Sequence, residues 1–413
     1  MPDVRSTARA RPRGSLRVEV GAPRPLAERP GGFPSARVLG GWLLVGASTA
    51  PHRRIGAPEL LRFRDHLRAG GGLSPGELEA AGIPPDIHLG RGHWAIQSAD
   101  GGDTWTPVAD PITATFLSTC HELRDGSWVC LYLLSLQPAE GEELLVWRRP
   151  HPGASWSGPH AARVTGPRHA DTGWDNPYLG GAFYGGLEEL EDGSLLLFGH
   201  TRFVGDRSSR VVVYRSVDRA ESFHYWATVA YEEGPSSPLR PIGFNEPGVV
   251  RAADGDLLCF LRTAEYEPIC LSRSRNDGRT WSPPERVGVD GILPTPVRLD
   301  SGVLALSYGR PGVWVAFSAD HGRWWSDRRC LWAWHGLWGQ GHLPTTPHYT
   351  APGYATFERS DCNARLCRVG PDRLLAVYGA PPPESGMEPL DAQDAGARAA
   401  CRIWGVTLSV RLE

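Results

Sequence analysis

Ser98-Ala-Asp-Gly-Gly-Asp-Thr-Trp105, Ser274-Arg-Asn-Asp-Gly-Arg-Thr-Trp281 and Ser318-Ala-Asp-His-Gly-Arg-Trp-Trp325 are three copies of one pattern, Ser-x-Asp/Asn-x-Gly-x-x-Trp. Chance would place one copy in about one of a hundred chains of this composition, so three copies indicate a repeat. The Asp or Asn can accept hydrogen bonds from nearby backbone N–H groups, the Gly allows a positive φ, and the Trp can pack over the turn. Each copy is therefore predicted to be a structural hairpin turn without a catalytic role.

Two weaker copies and a second, phased signal extend the repeat along the chain. Residues 149–156 keep the Gly and Trp, and residues 216–223 keep the Ser and Asp. Before most copies, two apolar runs flank a short turn, and Asp-Gly between β-rich runs is a strong hairpin signal. These turns lie at 40–41, 125–126, 192–193, 254–255, 301–302 and 371–372. The phase predicts six similar units, with the last run, 401–412, completing its unit with 15–20 near the N-terminus.

The eight-residue pattern resembles the Asp box of the sialidase-like β-propellers. This resemblance implies an all-β fold, a six-bladed propeller of four-stranded antiparallel blades. We expect a single domain over 15–413 and a disordered lead-in over 1–14. A partly helical insertion at about 53–93 follows the first blade.

The insertion contains two predicted helices. Residues 58–69 place Leu60, Leu61, Phe63 or Arg64, and Leu67 on one side, which is the spacing of an amphipathic helix. A second helix begins after Ser74, a residue suited to an N-cap, with a proline in its first turn. The insertion is either a lid or binding loop or a surface excursion of the fold.

Composition excludes several function classes. The formal net charge of −3 gives no electrostatic case for nucleic acid or an anionic membrane, and no apolar run approaches membrane-spanning length. All basic residues are Arg, which rules out lysine Schiff-base chemistry and a Walker-type phosphate loop. The 8 Cys form no CxxC pair, so we expect reduced thiols, no metal and no cofactor. No signal peptide is recognised, which predicts a cytoplasmic protein; export by another route would allow disulfides.

Repeat phase nominates a site, because residues at equivalent positions of successive blades converge at one mouth of a propeller. Glu246 lies eight residues before the turn at Asp254, and Arg262 lies eight residues after it. Arg310 follows the corresponding region of the fifth unit. A carboxylate and two arginines are costly to bury unpaired, so they are expected to meet in a polar pocket or to form a structural pair.

The resemblance assigns roles to these residues. Sialidases hold the substrate carboxylate with three arginines and use a Tyr nucleophile, a Glu that activates it and an Asp acid/base. Glu246 matches the Glu, Arg262 the second arginine and Arg310 the third. The first arginine and the tyrosine are replaced, by Gly32 and Asn363 respectively, and Asn cannot be the nucleophile of a retaining hydrolase.

Other polar residues face the same mouth by phase. The candidates for the catalytic partner of Glu246 are His52, Asp65 and Asp175, and Tyr184 is a further catalytic candidate. The further candidates for substrate binding are His200, Arg202, Asn363 and Trp174. Each of them is also consistent with an ordinary polar residue of a loop or strand.

The pattern favours an exo-acting glycoside hydrolase of the sialidase superfamily that removes a terminal, acidic sugar from a glycan. In that hypothesis Arg262 and Arg310 hold the substrate carboxylate, and Glu246 is base, nucleophile or activator. Two alternatives remain open: a lyase acting on a uronic acid, and a glycan-binding propeller without catalysis. The sequence does not predict the oligomeric state.

Overall fold

The computed structural model describes residues 15–48, 57–84, 93–133, 142–167, 169, 181–232, 243–263, 268–309, 312–332, 364–380 and 401–413. Strands dominate these residues and form three four-stranded sheets, one eight-stranded sheet made of two four-stranded halves, and one five-stranded sheet. The four-stranded sheets, the two halves and the five-stranded sheet are called sheets 1 to 6 below, with the five-stranded sheet as sheet 6. Within each sheet the neighbouring strands are antiparallel, and in sheets 1 to 5 they follow one another along the chain. The all-β fold predicted from the sequence is confirmed.

The elements follow in chain order. The chain begins with β1 (Leu16–Val20) and β2 (Arg24–Pro30), which belong to sheet 6. Sheet 1 contains β3 (Gly32–Leu39), β4 (Trp42–Ser48), β5 (His93–Ser98) and β6 (Thr106–Pro107), with α1 (Ala57–Arg68) and α2 (Pro75–Ala80) between β4 and β5. Helix α3 (Pro111–Phe116) and a 3₁₀ turn (Leu117–Thr119) then lead into sheet 2, which contains β7 (Cys120–Glu122), β8 (Trp128–Leu133), β9 (Glu142–Arg149) and β10 (Ser157–Thr165).

The later sheets repeat this order. Sheet 3 contains β11 (Gly181–Glu189), β12 (Leu195–Thr201), β13 (Arg210–Ser216) and β14 (Ser222–Ala230). Sheet 4 contains β15 (Asn245–Arg251), β16 (Leu257–Arg262), β17 (Pro268–Ser274) and β18 (Glu285–Asp290). Sheet 5 contains β19 (Ile292–Arg298), β20 (Leu304–Gly309), β21 (Val313–Ser318) and β22 (Ser326–Trp332), and sheet 6 contains β23 (Ala364–Gly370), β24 (Arg373–Ala380) and β25 (Arg402–Leu412).

The two ends of the chain meet in sheet 6. Strand β1 pairs antiparallel with β25, from Leu16 opposite Leu412 to Val20 opposite Leu408, as the sequence predicted. Strand β2 also pairs with β25, which the sequence did not predict. A second unpredicted pairing joins sheets 2 and 3, whose last strands β10 and β14 run parallel over Arg163–Thr165. Both pairings connect residues far apart in the chain, where local patterns carry no information.

The three box turns have the hydrogen bonds that their sequences predict. In the turn at 318–325, the Ser318 hydroxyl accepts from the Gly322 N–H (2.9 Å), and Asp320 Oδ1 accepts from the Trp324 N–H (2.8 Å). Gly322 has φ of +79°. The turns at 98–105 and 274–281 repeat the serine contact at 2.8 and 2.9 Å. Each turn lies between the third and fourth strands of its sheet.

The box tryptophans also connect neighbouring sheets. Trp325 donates to the carbonyl of Gly322 in its own turn (3.3 Å), while its ring packs edge-on against Phe260 of sheet 4, with centroids 5.4 Å apart. Trp281 of sheet 4 packs in the same way against Phe198 of sheet 3, at 5.9 Å. The pattern therefore stabilises an interface between sheets as well as a turn.

In the two weaker copies, other residues take the place of the missing box residues. In the turn at 216–223, Ala220 occupies the glycine position with φ of +68°, a conformation that is unfavourable for a residue with a Cβ. In the turn at 149–156, which lacks the Ser and Asp, Asp110 at the N-cap of α3 accepts from Trp156 Nε1 and pairs with Arg149 (3.0 Å). A residue from outside the repeat thus stabilises its most divergent copy.

In each of sheets 2 to 6, the first strand carries a charged side chain next to its hairpin turn. This side chain bonds to the preceding sheet. This turn-end belt consists of Glu122, Glu189, Arg251, Arg298 and Arg368. Their respective partners are the Gly40 N–H, the Arg124 N–H, the Glu188 carboxylate, the Ala252 carbonyl and the Asp300 carboxylate. Arg24 of β2 makes the corresponding connection from sheet 6 to sheet 1, to the carbonyl of Gly102.

The helices of the insertion pack on the sheets. Phe63 and Leu67 of α1 and Leu78 of α2 are fully buried, in one cluster with Phe116 and Trp147. Ser74 is the N-cap of α2, as its sequence predicted, and it makes a reciprocal contact with Glu77. The described part of the insertion therefore extends the core. None of the helices in the described residues is long and apolar enough to cross a membrane.

None of the seven cysteines in the described residues forms a disulfide bond. Cys120 and Cys130 are directly opposite each other on β7 and β8, and both are buried. Burial raises the pKa of the Cys130 thiol, and the neighbouring Cys120 raises it further.

Candidate functional site

Glu246 lies on a backbone bulge that recurs among the first strands. The register of β15 with β16 shifts between Asn245 and Gly248, and Glu246 has φ of +42°. Phe33 of β3 (φ +50°) and Leu293 of β19 (φ +49°) stand at the corresponding shifts, and each of the three is followed by a proline. Bulges re-aim a side chain relative to its strand. Of these three bulges, only the one in sheet 4 presents a carboxylate.

Arg262 forms an ion pair with Glu246. It is the last residue of β16, its Cα partner is Asn245, and its Nη1 lies 2.7 Å from Oε1 of Glu246. The exposed side-chain fractions are 13% for Arg262 and 20% for Glu246. The hydrogen bond is charge-assisted and mostly shielded from water, so it is stronger than an exposed pair. The structure thus brings together two of the three residues on which the sequence prediction centred.

His200 joins this pair from sheet 3. It lies in β12, is 6% exposed, and its Nδ1 accepts a hydrogen bond from the backbone N–H of Glu246 (3.2 Å). Burial lowers the pKa of His200 to about 4, Glu246 opposes the shift and Arg262 adds to it. The imidazole is therefore neutral at neutral pH. Because Nδ1 accepts, its proton is on Nε2.

The segment before Glu246 rests on a loop of sheet 3. The Phe244 N–H donates to the Ser209 carbonyl (3.1 Å), and Gly243 pairs with Ser209 in an isolated bridge. Gly243 has φ of +63°, and a Cβ added there would lie 2.3 Å from the Ser209 oxygen. Only glycine fits this contact without displacement.

The supporting loop is itself braced by a partly buried arginine. Arg210 pairs with Asp206 and lies between the rings of Phe203 and Tyr231, with its guanidinium carbon 4.6 and 4.0 Å from their centroids. Asp206 Oδ2 also accepts from the Phe203 N–H (2.8 Å). Sheet 3 therefore presents a firm surface to Glu246.

The remaining sequence candidates are placed as follows. Asp65 is exposed on α1 and pairs with its neighbour Arg64 (2.9 Å), and no described contact joins it to Glu246. Arg202 is partly exposed and directly follows β12. Tyr184 lies in β11, where only its backbone is described. The candidates that lie outside the described residues are His52, Trp174, Asp175, Arg310 and Asn363.

Two site residues escaped the sequence analysis. Gly243 supports the backbone before Glu246, and Asn245 is 8% exposed with a buried Oδ1 that has no hydrogen-bond partner among the described residues. The recurring dipeptides Phe33-Pro34, Glu246-Pro247 and Leu293-Pro294 would have indicated the bulge. Gly243 carried no comparable signal, because its role depends on Ser209 of another sheet.

The arrangement combines a carboxylate, a guanidinium and a neutral imidazole in a largely dry environment. Such a set can bind an anionic group through the arginine and accept a proton at the carboxylate. None of the described residues forms a group of three or more His, Cys, Asp or Glu that could hold a metal ion.

Comparison with known proteins places this geometry in a structural context. Residues 150–336 match the family model of the BNR repeat-like domain. A protein of unknown function from Dyadobacter fermentans DSM 18053 superposes with a TM-score of 0.60, at 19% identity over 95% of this chain and 99% of its own. No curated protein matches the sequence.

Two sialidases have the same fold. The Hadza microbial sialidase Hz136 has a TM-score of 0.51, at 14% identity over 92% of this chain and 65% of its own. The K499G mutant of the NanB sialidase from Streptococcus pneumoniae has a TM-score of 0.50, at 10% identity over 92% and 68%. This chain therefore spans about two thirds of each of these sialidases. Residues 150–336 therefore resemble a BNR repeat-like domain, and the chain shares the fold of these sialidases.

Proposed function

We propose that this protein is an exo-acting glycoside hydrolase that removes a terminal, acidic sugar from a glycan. The observation that carries the proposal is the Glu246–Arg262 pair at the bulge, joined by His200 from the neighbouring sheet. The fold is shared by sialidases and by a protein of unknown function, so the fold alone does not assign the activity.

The site belongs, in this proposal, to a closed six-bladed propeller. Two observations support closure. The first strands of neighbouring sheets contact each other in the pairs β11–β15, β15–β19, β19–β23 and β23–β3. The 3₁₀ turn before β7 contacts β3. The turn-end belt runs in the same order. A ring places the bulges of β3, β15 and β19 at one mouth, opposite the belt.

Arg262 binds the carboxylate of the sugar. A guanidinium matches a carboxylate in shape and charge, and Glu246 holds this one in place. We assign Arg310 as a second contact on the sequence phase. Glu246 acts next to the anomeric carbon, as base, nucleophile or activator of another group.

The mechanism departs from that of a sialidase with a tyrosine nucleophile. The position expected for that tyrosine is Asn363 and the position of the first arginine is Gly32. A carboxamide does not form a glycosyl-enzyme intermediate in the manner of a phenolate. The proposal therefore assigns the central chemical role to Glu246.

A glycan-binding propeller without catalysis is the second candidate. One observation favours it: Arg262 pairs with Glu246, and this ion pair makes the carboxylate a weaker nucleophile. The same Arg262 would hold the acidic sugar in a binding module.

A panel of fluorogenic glycosides tests the proposal. We expect the wild-type protein to release the fluorophore from an α-sialoside or a β-glucuronide and not from the neutral glucoside. Glu246→Gln should reduce the rate by about 10³-fold. The matched control is Glu221→Gln, because Glu221 is an exposed glutamate that pairs with Arg148 (3.0 Å) away from the bulge.

The outcomes separate the candidates. Binding of the sugar without release of the fluorophore would establish a binding module and contradict the hydrolase. Formation of an unsaturated uronate, seen by its ultraviolet absorbance with an oligouronate as substrate, would establish a lyase. Equal rates for Glu246→Gln and wild type would remove Glu246 from the mechanism.

A further inference from the structure

We propose that His200 is the positioning residue of this site: its imidazole holds the backbone of Glu246 at the bulge and so aims the carboxylate at Arg262. The inference rests on the proposed function for its consequence in catalysis. Its structural part concerns only the described residues His200, Glu246 and Arg262.

At the bulge, the backbone N–H of Glu246 is not part of the regular hydrogen bonding between β15 and β16. Between Asn245 and Gly248 the register with β16 shifts, so the Glu246 N–H lies outside the regular ladder. The donor instead points across the sheet boundary to Nδ1 of His200, 3.2 Å away. Glu246 has φ of +42°, a left-handed conformation that is unfavourable for a residue with a side chain, so it persists where the surroundings stabilise it.

Sequence phase shows that this contact belongs to the site. His200 pairs with Ala182 near the end of β12, as Arg262 pairs with Asn245 at the end of β16. The two side chains therefore occupy equivalent places in neighbouring sheets. One contacts the carboxylate of Glu246 and the other contacts its backbone, so both constrain the same residue.

Histidine suits this role in its neutral form. Its neutral ring offers an acceptor at Nδ1, whereas an imidazolium offers none. The charged groups that face it are Glu246 from β15 and Arg262 from β16. The bond is therefore intact at neutral pH and is lost when the ring is protonated in acid.

Two substitutions distinguish a positioning role of His200 from a role of its side-chain volume alone. His200→Asn places an amide oxygen near the position of Nδ1 and keeps an acceptor there. His200→Gln places its amide near Nε2 and leaves the Glu246 N–H without its acceptor. The side chains are similar in polarity, so a purely structural role predicts similar effects for both.

We expect kcat of His200→Asn to remain within about fivefold of wild type, and kcat of His200→Gln to fall about 10²-fold with a smaller change in KM. The wild type should lose kcat as the pH falls toward about 4, where His200 takes up a proton. Equal losses in the two variants at matched melting temperatures would overturn the inference, and so would no loss in either.

A second readout stands apart from catalysis. In ¹⁵N-histidine NMR spectra of the full chain, His200 should show an unprotonated Nδ1 and a protonated Nε2 from pH 8 down to about pH 5. A protonated Nδ1 in this range would overturn the positioning role. If no glycoside is cleaved but the NMR result holds, the proposed function fails while the inference about the bulge stands.

Discussion

The two ends of the six sheets differ in what the repeat does there: the turn end connects neighbouring sheets, and the opposite end carries the bulges. At the turn end, first strands of five sheets carry a charged side chain at one register position, and each bonds to the preceding sheet. At the opposite end, three first strands share a bulge, yet Phe33, Glu246 and Leu293 have different chemistry. The repeat thus determines the backbone, whereas the side chains that differ between repeats form the candidate site.

The largest effect should come from changing Arg262. We expect Arg262→Gln to raise KM for an acidic glycoside by about 10²- to 10³-fold, since a charge-assisted contact to the sugar carboxylate is lost and Glu246 loses its partner. Steady-state kinetics of an acidic and a neutral glycoside measure this. A KM that is unchanged for the acidic substrate would place its carboxylate elsewhere.

The next effect should come from Gly243. In Gly243→Ala the new Cβ would lie 2.3 Å from the Ser209 oxygen, at φ of +63°, so the segment that leads to Glu246 must move. We expect a loss of activity of about 10²-fold, because small displacements of a reacting group are costly. Gly76→Ala is the matched control, since nothing lies within 4 Å of a Cβ in that helix. Full activity in Gly243→Ala would contradict the support that we assign to Ser209.

The box turns should affect stability and leave the site intact. Ser318 is fully buried and its hydroxyl accepts from the Gly322 N–H. Ser318→Ala should therefore lower the free energy of unfolding by about 1–2 kcal/mol with an unchanged kcat. Chemical denaturation of this variant and of Ser301→Ala, whose serine is exposed, provides the comparison. A drop in kcat at equal folding would give the box a functional role that we do not expect.

The smallest effect should come from the exposed part of the belt. Arg368 pairs with Asp300, and both side chains are about half exposed. Arg368→Gln should change the free energy of unfolding by less than about 1 kcal/mol, as is usual for surface ion pairs. Denaturant titration at low and high salt measures this, and a loss above about 2 kcal/mol would show that this junction between sheets 5 and 6 depends on one ion pair.

Local patterns predicted the all-β fold and singled out Glu246 and Arg262, which the structure brings into contact. Asp-Gly turns and the three boxes act within a few residues, so the sequence located the hairpins, the six units and the phase that singled out Glu246 and Arg262. The return of the chain to pair β1 with β25 followed from the unit left incomplete at the C-terminus.

Contacts between sheets could not be read from local patterns. The parallel pairing of β10 with β14, the use of Asp110 in place of a missing box residue, and the seat of Gly243 on Ser209 each join residues that are distant in sequence. His200 was predicted to face the site, but its bond to the backbone of Glu246 depends on a bulge. These features arise from packing between distant parts of the chain, which the spacing of hairpin turns does not predict.

One measurement tests the central claim most directly: ¹H NMR of the products formed when the wild-type protein is incubated with a glycan that ends in an acidic sugar. We predict resonances of the free acidic sugar that grow with time and are absent with Glu246→Gln. An unchanged glycan across acidic substrates, or an unsaturated product in place of the free sugar, would contradict this prediction.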